Sequence, residues 1–488
     1  MKKLAPIMLA GTGSDVGKSL IATGLCRIFR QDGYQPAPFK AQNMALNSYA
    51  TPDGFEIGRA QAVQAEAAGI PCSTDMNPIL LKPSGEHTSQ VVLNGRPSGN
   101  ADAYQYFRKE GKEELRRIAH EAFDRLNALY NPLVLEGAGS ISELNLRDGD
   151  IVNMSMASYA GANVILVADI DRGGVFASVY GSIMLQYPEH RKLIKGIIIN
   201  KFRGDLCLFE DGKRLLEDLC GVPVLGVVPM ASHIHIDEED SVALSGKERA
   251  AANDKVNVAV VLLDHISNFT DFNVLERHPQ VNLYYAANPA DLADADIIIL
   301  PGSKNTLSDL LGLRKRGLAK AIVEARENGK TVVGICGGYQ MMGDIVEDPD
   351  SIEGELKSLP GLGLLPIRTV ISHQKTTRQV NFRFLDDDRI CKGYEIHMGR
   401  TDTNNPFIWF EDGTLEGCMI DEKCFGSYIH GILDNPAVIE RILNPFIDRK
   451  TNEKFDPIAF REEQYNLLAD WLRKYLDVDK IYSIIQEK

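Results

Sequence analysis

The sequence lacks an excess of positive charge, closely spaced cysteines and long apolar runs. Its 53 lysines and arginines stand against 67 aspartates and glutamates, and the net charge of −14 provides no basic field for nucleic acid or an anionic membrane. The eight cysteines include no Cys-x-x-Cys pair, so neither a zinc knuckle nor a disulfide framework is indicated. No run approaches the roughly 20 apolar residues that cross a bilayer. We therefore expect a cytoplasmic protein without nucleic-acid or membrane partners.

The chain contains enough apolar residues for several folded domains. Its 488 residues are 44% hydrophobic and 25% charged, which is typical of globular proteins with about 150 residues per domain. Short apolar runs alternate with helical patterns, and unbroken runs of this kind are typical of strands buried on both faces. The sequence therefore predicts an α/β fold. Strands are expected at residues 7–10, 133–135, 164–168, 196–199, 224–228, 258–263, 297–300 and 331–335.

A charged stretch between Met230 and Lys255 interrupts this alternation and predicts a linker. Near the C-terminus, apolar residues recur at helical spacing from Leu468 to Tyr475, which predicts a helix that covers apolar surface. The expected organisation is a first domain at 1–233, a linker at 234–254, a second domain at 255–445 and a helical extension at 446–488.

The first predicted strand leads into a glycine-rich loop and then a helical pattern. In a P-loop, backbone N–H groups bind phosphates, a lysine reaches the terminal phosphates and the next hydroxyl binds Mg²⁺. Lys18 and Ser19 fit these roles, although Thr12 stands where the strict pattern has glycine. The order of strand, loop and helix favours this interpretation over a turn without a ligand. The predicted nucleotide-binding residues are Thr12, Gly13, Asp15, Val16, Gly17, Lys18 and Ser19.

Acidic residues follow two further predicted strands. Glu136 comes before a glycine-rich turn, and Asp169 and Asp171 end another strand. At the carboxyl end of a parallel strand a carboxylate is placed to bind Mg²⁺, and it is equally placed to cap a helix. The preceding P-loop favours the metal, with Ser19 and Glu136 as its predicted ligands.

A cysteine between glycines marks a second candidate site. Cys336 follows a predicted strand in the order Gly-Ile-Cys-Gly-Gly, which allows the sharp turn that presents a nucleophile. The backbone N–H groups of Gly302 and Gly337 are candidates for an oxyanion hole. His430 is the predicted proton carrier, with His397 as the alternative.

The C-terminal half resembles a class I glutamine amidotransferase, and the N-terminal half resembles the dethiobiotin-synthetase-like P-loop group. Together they resemble the glutamine-hydrolysing cobyric acid synthase family of the vitamin B12 pathway. The segments that carry this resemblance are long and specific. They are residues 40–48 (Lys-Ala-Gln-Asn-Met-Ala-Leu-Asn-Ser), 56–64 (Glu-Ile-Gly-Arg-Ala-Gln-Ala-Val-Gln), 169–174 (Asp-Ile-Asp-Arg-Gly-Gly), 200–205 (Asn-Lys-Phe-Arg-Gly-Asp) and 393–399 (Gly-Tyr-Glu-Ile-His-Met-Gly).

The resemblance implies two doubly wound, mostly parallel-sheet domains and a carbon–nitrogen ligase that uses ATP and Mg²⁺. Its implied substrates are L-glutamine and adenosylcobyrinic acid a,c-diamide, whose b, d, e and g carboxylates are amidated. It places Asn200 near the nucleotide base. Polar clusters that composition alone would assign to surface loops become candidate corrinoid and phosphate contacts. These are Lys40, Gln42, Asn43, Asn47, Arg59, Gln61, Gln64, Asn77 and Lys82.

One position departs from most class I amidotransferases, which carry a glutamate two residues after the histidine. Ile432 stands there, so the group that orients His430 stays open between Glu395 and Asp434. The alternative functions are a cobyrinic acid a,c-diamide synthase and, from another class, a partitioning or switch ATPase. The sequence leaves the oligomeric state open, a homo-oligomer included.

Overall fold

The computed structural model describes residues 3–83, 88–102, 112–237, 251–252, 254–447 and 455–486. The chain forms two compact units. The first unit comprises Met1–Ala45, Ile57–Asp237 and Arg461–Lys488, and the second comprises Leu46–Glu56 and Glu238–Phe460. The predicted linker lies largely outside the described residues, and the predicted domain bounds stay a prediction. Within the described ranges, no helix has the length and apolar character needed to cross a membrane.

A sheet of six parallel strands forms the centre of the first unit. The sequence predicts all of these strands except Ala37–Phe39, whose three residues include a proline. Their apolar runs are almost continuously buried, as expected for parallel strands. Across the sheet the order is Val224–Pro229, Ile194–Phe202, Asn163–Asp169, Ile7–Gly11, Leu133–Glu136 and Ala37–Phe39.

A smaller four-stranded sheet also belongs to the first unit, with strands Gln42–Met44, Ile79–Pro83, Thr88–Leu93 and Arg96–Asp102. The predicted C-terminal helix is present, and Leu468 and Leu472 are fully buried in the core of this unit. The helices are Lys18–Gln31, Arg59–Ala68, Lys112–Leu129, Met154–Ala160, Val175–Met184, Pro188–Arg191, Glu210–Cys220, most of Pro457–Tyr475, and Val478–Gln486. Short 3₁₀ turns lie at Thr74–Met76, Leu144–Gly149 and Leu206–Phe209.

The second unit is built on another six-stranded sheet, parallel except for its last strand. Its order is Val281–Ala286, Val256–Val261, Ile297–Leu300, Thr331–Ile335, Cys424–Ser427 and Cys418–Asp421. Both units are therefore α/β with mostly parallel central sheets, which confirms the predicted fold class.

A mostly antiparallel sheet in the second unit was not predicted. Its longest strands, Arg368–Phe384 and Cys391–Asp402, pair with each other. The other strands are Ser358–Pro360, Ile345–Glu347, Ile408–Phe410 and Leu415–Glu416, and Ile266–Ser267 pairs with Gly302–Ser303. Helices lie at Asn273–Arg277, Thr306–Lys315, Leu318–Glu327, Gly337–Met341 and Pro436–Leu443, and 3₁₀ turns at Phe269–Phe272, Pro289–Leu292 and Ile432–Asp434. Two further short strands lie at Ser48–Ala50 and Glu56–Gly58.

Candidate active sites

The glycine-rich loop of the first unit connects the strand Ile7–Gly11 to the helix Lys18–Gln31. Lys18 Nζ donates hydrogen bonds to the carbonyl oxygens of Gly13 and Gly139, each at 3.0 Å. The lysine therefore bridges the loop and the turn that follows another strand of the same sheet. Backbone N–H groups at the start of a helix with a lysine beside them form a site suited to phosphate.

Close packing explains why position 17 of the loop is glycine, and it brings Asn200 against the loop. Asn200 Nδ2 donates to the carbonyl oxygen of Val16 at 2.9 Å. Gly17 has a φ of +91°, and a Cβ atom there would lie 2.2 Å from Asn200 Nδ2. A larger residue at this position is excluded both by conformation and by space. The N–H of Thr12 donates to Val167 O at 3.0 Å, which ties the loop to the sheet.

Charged residues line the same end of the sheet. Asp169 ends its strand and is buried, and its Oδ2 lies 3.3 Å from Lys201 Nζ. Lys201 Nζ also lies 3.2 Å from Asp15 Oδ2, and the exposed Arg172 contacts the same carboxylate at 3.1 Å. Asp15 is thus held by two cations on the surface of the loop.

Glu136 is the centre of a buried polar cluster. Its Oε1 accepts hydrogen bonds from Ser19 Oγ at 2.8 Å and Lys40 Nζ at 2.9 Å, and its Oε2 accepts one from Gln64 Nε2 at 2.7 Å. Burial alone would raise the pKa of Glu136, but the Lys40 ammonium and the three hydrogen bonds hold it below its usual value. The cluster therefore keeps a carboxylate next to the Ser19 hydroxyl.

A layer of side-chain amides lies around this cluster. Asn43 Nδ2 donates a hydrogen bond to Gln61 Oε1 at 3.1 Å. Asn77 Nδ2 donates to Lys40 O, and Asn77 Oδ1 accepts a hydrogen bond from the N–H of Gly58. Gln61 Nε2 and Gln64 Oε1 are buried, and within the described part of the chain they have no hydrogen-bond partner. Buried amide atoms of this kind are suited to a polar ligand.

The other predicted substrate residues are more dispersed. Arg59 pairs with Asp237 at 2.8 Å, and Lys82 and Gln42 lie on two paired strands of the small sheet. Asn47 belongs to the second unit, where its Oδ1 accepts a hydrogen bond from the N–H of Phe269 at 3.2 Å.

In the second unit, Cys336 lies on a strained turn between the strand Thr331–Ile335 and the helix Gly337–Met341. Its φ is +51° and its ψ is −109°, a conformation that non-glycine residues rarely adopt and that is typical of functional sites. Cys336 Sγ donates to Ile396 O at 3.7 Å, and its N–H donates to Ser427 O at 2.8 Å.

Backbone packing around Cys336 requires glycine on its C-terminal side. A Cβ atom at Gly337 would lie 2.6 Å from the backbone nitrogen of Ser303, and one at Gly338 would lie 2.0 Å from Leu300 O. A Cβ atom at Gly302 would lie 3.3 Å from His430 Cε1. Both glycines predicted to form the oxyanion hole therefore lie at this site.

His430 is buried and is oriented by Asp271. His430 Nδ1 lies 2.7 Å from Asp271 Oδ2, and the N–H of Gly431 donates to Asp271 Oδ1 at 2.9 Å. Burial alone would lower the pKa of His430, but the charges of Asp271 and Cys336 and hydrogen bonds to both raise it to about 10. A thiol, a buried imidazole and a carboxylate linked in this way are suited to nucleophilic catalysis.

Neither residue proposed from the sequence as the orienting group occupies this position. Glu395 is paired with Arg378 and lies 3.7 Å from His397 Nε2. The N–H of Asp434 donates to Gly431 O. The alternative histidine, His397, stacks on Tyr428 at 3.8 Å between ring centroids. Asp271 lies in the segment Ile266–Leu275, in which polar and apolar residues are mixed, so no pattern in the sequence singled it out.

Comparison with known proteins identifies two domain families in the chain. Residues 7–242 match a family described as the CobQ/CobB/MinD/ParA nucleotide binding domain, and residues 257–438 match the CobB/CobQ-like glutamine amidotransferase domain. The cobyric acid synthase of Bacteroides fragilis is 65% identical over 100% of this chain and 99% of its own. The enzymes named cobyric acid synthase from Parabacteroides distasonis and Citrobacter koseri are 59% and 47% identical, and each alignment covers 99% of this chain and 99% and 98% of theirs.

These matches extend over nearly the whole chain and confirm the resemblance derived from the sequence. The chain belongs to the cobyric acid synthase family, glutamine-dependent amidotransferases of cobalamin biosynthesis.

Proposed function

We propose that the protein uses ATP and L-glutamine to amidate the b, d, e and g carboxylates of adenosylcobyrinic acid a,c-diamide, giving adenosylcobyric acid. The observation that carries this proposal is the array of Cys336, His430 and Asp271 in a chain that also contains a P-loop with Lys18. A thiol site of this kind suits release of ammonia from glutamine, and a P-loop suits phosphoryl transfer.

The glutaminase reaction starts at Cys336. His430 takes the proton of the Cys336 thiol, and the sulfur attacks the side-chain amide carbon of glutamine. When the carbon–nitrogen bond breaks, His430 gives this proton to the nitrogen, which leaves as ammonia. Water, activated by the now neutral His430, hydrolyses the thioester to glutamate and restores the thiol. Asp271 keeps the imidazole in one orientation and stabilises its protonated form.

Two backbone N–H groups would stabilise the negative oxygen that forms in this attack. We assign them to Gly302 and Gly337, because both glycines lie at the thiol site and neither has room for a side chain. Fixed donors aimed at the developing charge lower the barrier without reorganisation.

The ATP reaction belongs to the loop of the first unit. The terminal phosphoryl group passes to a substrate carboxylate, ammonia displaces phosphate from this acyl phosphate, and the products are the amide, ADP and phosphate. The loop residues predicted for the nucleotide would surround the phosphates, and Asn200 would lie near the base. Lys18 would contact the terminal phosphates.

The oxygen atoms of Ser19 and Glu136 fit a magnesium ion. They are hard donors 2.8 Å apart, and Glu136 is held as a carboxylate. Bound Mg²⁺ would neutralise charge on the phosphate oxygens. Within this cluster Lys40 holds Glu136 in place.

The corrinoid acid and the acyl phosphate would be bound by the amide cluster of the first unit. The buried, unpartnered atoms Gln61 Nε2 and Gln64 Oε1 support this assignment, since a polar ligand would satisfy them. The remaining candidates are Lys40, Gln42, Asn43, Arg59, Asn77 and Lys82.

All eight cysteines are free, which agrees with a reducing cytoplasmic location.

The first experiment separates the two nitrogen sources. Cys336→Ala should abolish amidation driven by glutamine while added ammonia still supports it, because only the nucleophile has been removed. Cys207→Ser is the matched control, since Cys207 is exposed. Intact-mass measurement of the corrinoid product counts the amides, and starting from cobyrinic acid instead tests for an a,c-diamide synthase. Loss of both activities in Cys336→Ala refutes the division of labour.

The second experiment tests the loop. Lys18→Ala should stop amidation with either nitrogen source and leave part of the glutaminase activity, since phosphoryl transfer needs this ammonium group. The exposed Lys192→Ala is the control. Full amidation driven by ammonia in Lys18→Ala would contradict an ATP role for the loop.

A further inference from the structure

A short segment from the N-terminal part of the chain belongs to the second unit. Residues Leu46–Glu56 lie in that unit, although Ala45 and Ile57 on either side belong to the first. The thiol site of the second unit therefore includes neighbours that no amidotransferase domain defined from residue 257 onward contains.

This segment clamps the turn that carries Asp271. Asn47 Oδ1 accepts a hydrogen bond from the N–H of Phe269 at 3.2 Å, and the N–H of Ser48 donates to Asn268 Oδ1 at 2.9 Å. All four residues are buried, at 4% exposure or less. Hydrogen bonds in such an environment fix geometry strongly, because a broken one leaves a desolvated polar group.

The clamped turn leads directly to the catalytic histidine. The N–H of Asp271 donates to Asn268 O at 3.0 Å, and Asp271 then holds His430 Nδ1 at 2.7 Å and the N–H of Gly431 at 2.9 Å. Asn268 itself has a φ of +51°, so the turn adopts a conformation that needs support from its surroundings.

A second contact reaches His430 from another direction. The ring of Tyr49 lies 4.5 Å from that of Tyr394, which stacks on His430 at 5.3 Å. Tyr394 and His430 also exchange backbone hydrogen bonds at 3.1 and 2.8 Å. The same short segment thus supports both the orienting carboxylate and the face of the imidazole.

We propose that Asn47 is a positioning residue of the glutaminase site, acting through the Phe269–Phe272 turn on Asp271 and so on His430. This rests on the proposed function of Cys336 and His430. It gives Asn47 a different role from the corrinoid contact that the family resemblance implies. A displacement of about 1 Å in a catalytic group lowers turnover by about a hundredfold. We therefore expect a loss between about tenfold and a hundredfold in kcat when the clamp is removed.

The test uses two variants of the full-length protein. Asn47→Ala removes the acceptor for Phe269, and Asn268→Gly removes the acceptor for Ser48 while tolerating the positive φ. Both should lower kcat for glutamine hydrolysis with little change in KM, and both should keep ammonia-driven amidation at the wild-type rate. The exposed Asp53→Asn, in the same segment, is the control and should leave both activities unchanged.

The outcomes separate the two roles of Asn47. Asn268 was never a substrate candidate, so a selective glutaminase loss in Asn268→Gly supports the clamp even where Asn47→Ala folds poorly. Wild-type glutaminase activity in either variant overturns the proposal. So does a raised KM for the corrinoid acid with intact glutaminase in Asn47→Ala. If wild-type protein hydrolyses no glutamine, or Cys336→Ala still does, the proposed function itself fails, whatever Asn47 does.

Discussion

Single residues that belong to a recognisable local sequence pattern were the most predictable part of the molecule. Glu136 ends a buried strand and Cys336 directly follows one, and both are next to glycine. Lys18 and Ser19 begin the helix that follows the glycine-rich loop. Asp271 belongs to no such pattern. Its role depends on a contact with His430, which lies 159 positions further along the sequence. Tertiary folding alone creates that pair, so spacing arguments could offer only Glu395 and Asp434.

The contact between Asp271 and His430 predicts a pH effect. The raised pKa, about 10, favours the imidazolium form of His430 that protonates the leaving nitrogen, and glutaminase activity should fall as pH rises through that value. Asp271→Asn removes a charge that raises this pKa while burial, which lowers it, remains. The alkaline fall should therefore move to lower pH, with kcat reduced by about a hundredfold.

The pH dependence of kcat/KM for glutamine measures this shift, with the exposed Asp264→Asn as control. An alkaline limb that stays at its wild-type position in Asp271→Asn would show that Asp271 does not hold the proton on His430.

Strands buried on both faces could be recognised as elements, whereas strands with one polar face could not. The runs at Ile7–Gly11 and Ile297–Leu300 are buried along their whole length and contain no polar side chain. In contrast, Arg368–Phe384 mixes buried and exposed positions along its 17 residues and carries many polar side chains. Cys424–Ser427 lies within the central sheet, but its four residues include glycine and serine, which weaken a strand pattern.

The turn at Cys336 predicts a cost for one added methyl group. Gly338→Ala would place Cβ 2.0 Å from the backbone oxygen of Leu300, and this strand cannot move without disturbing the sheet. We expect a loss of about 1–3 kcal/mol in the free energy of unfolding and a displaced nucleophile.

Chemical denaturation and glutaminase assays measure the two effects. Gly181→Ala is the control, because a Cβ atom there meets nothing within 4 Å and the residue lies in a helix, where alanine is favoured. Equal stability of both variants would refute the packing argument at Gly338.

At the scale of the whole molecule, two segments belong to units that their sequence positions do not suggest. The segment Leu46–Glu56 lies in the second unit, and Arg461–Lys488 lies in the first. The C-terminal helix was recognisable from its apolar spacing. The unit that it joins depends on complementary packing, such as the 2.2 Å that would separate a Cβ at Gly24 from Leu472 Cδ1. Periodicity identifies an apolar face and carries no information on its partner.

This arrangement predicts that a C-terminal residue stabilises the P-loop unit. Leu472→Ala should destabilise the first unit by about 2–5 kcal/mol, because it leaves a cavity in a fully buried core. Leu129→Ala is the control, since Leu129 is 71% exposed.

Thermal inactivation followed by both assays distinguishes the units. In Leu472→Ala, ammonia-driven amidation should be lost at a lower temperature than in the wild type, while glutaminase keeps its own inactivation temperature. If only the glutaminase activity were lost at a lower temperature, Leu472 would not stabilise the first unit, and the prediction would be wrong.

Nitrogen released at Cys336 should become the amide nitrogen of the corrinoid product. The direct measurement supplies ATP, the corrinoid acid, glutamine labelled with heavy nitrogen in its side-chain amide, and unlabelled ammonia, followed by mass spectrometry of the product. We predict heavy amides from the wild type and only light amides from Cys336→Ala. Heavy amides from Cys336→Ala, or no new amide from the wild type, would contradict the account.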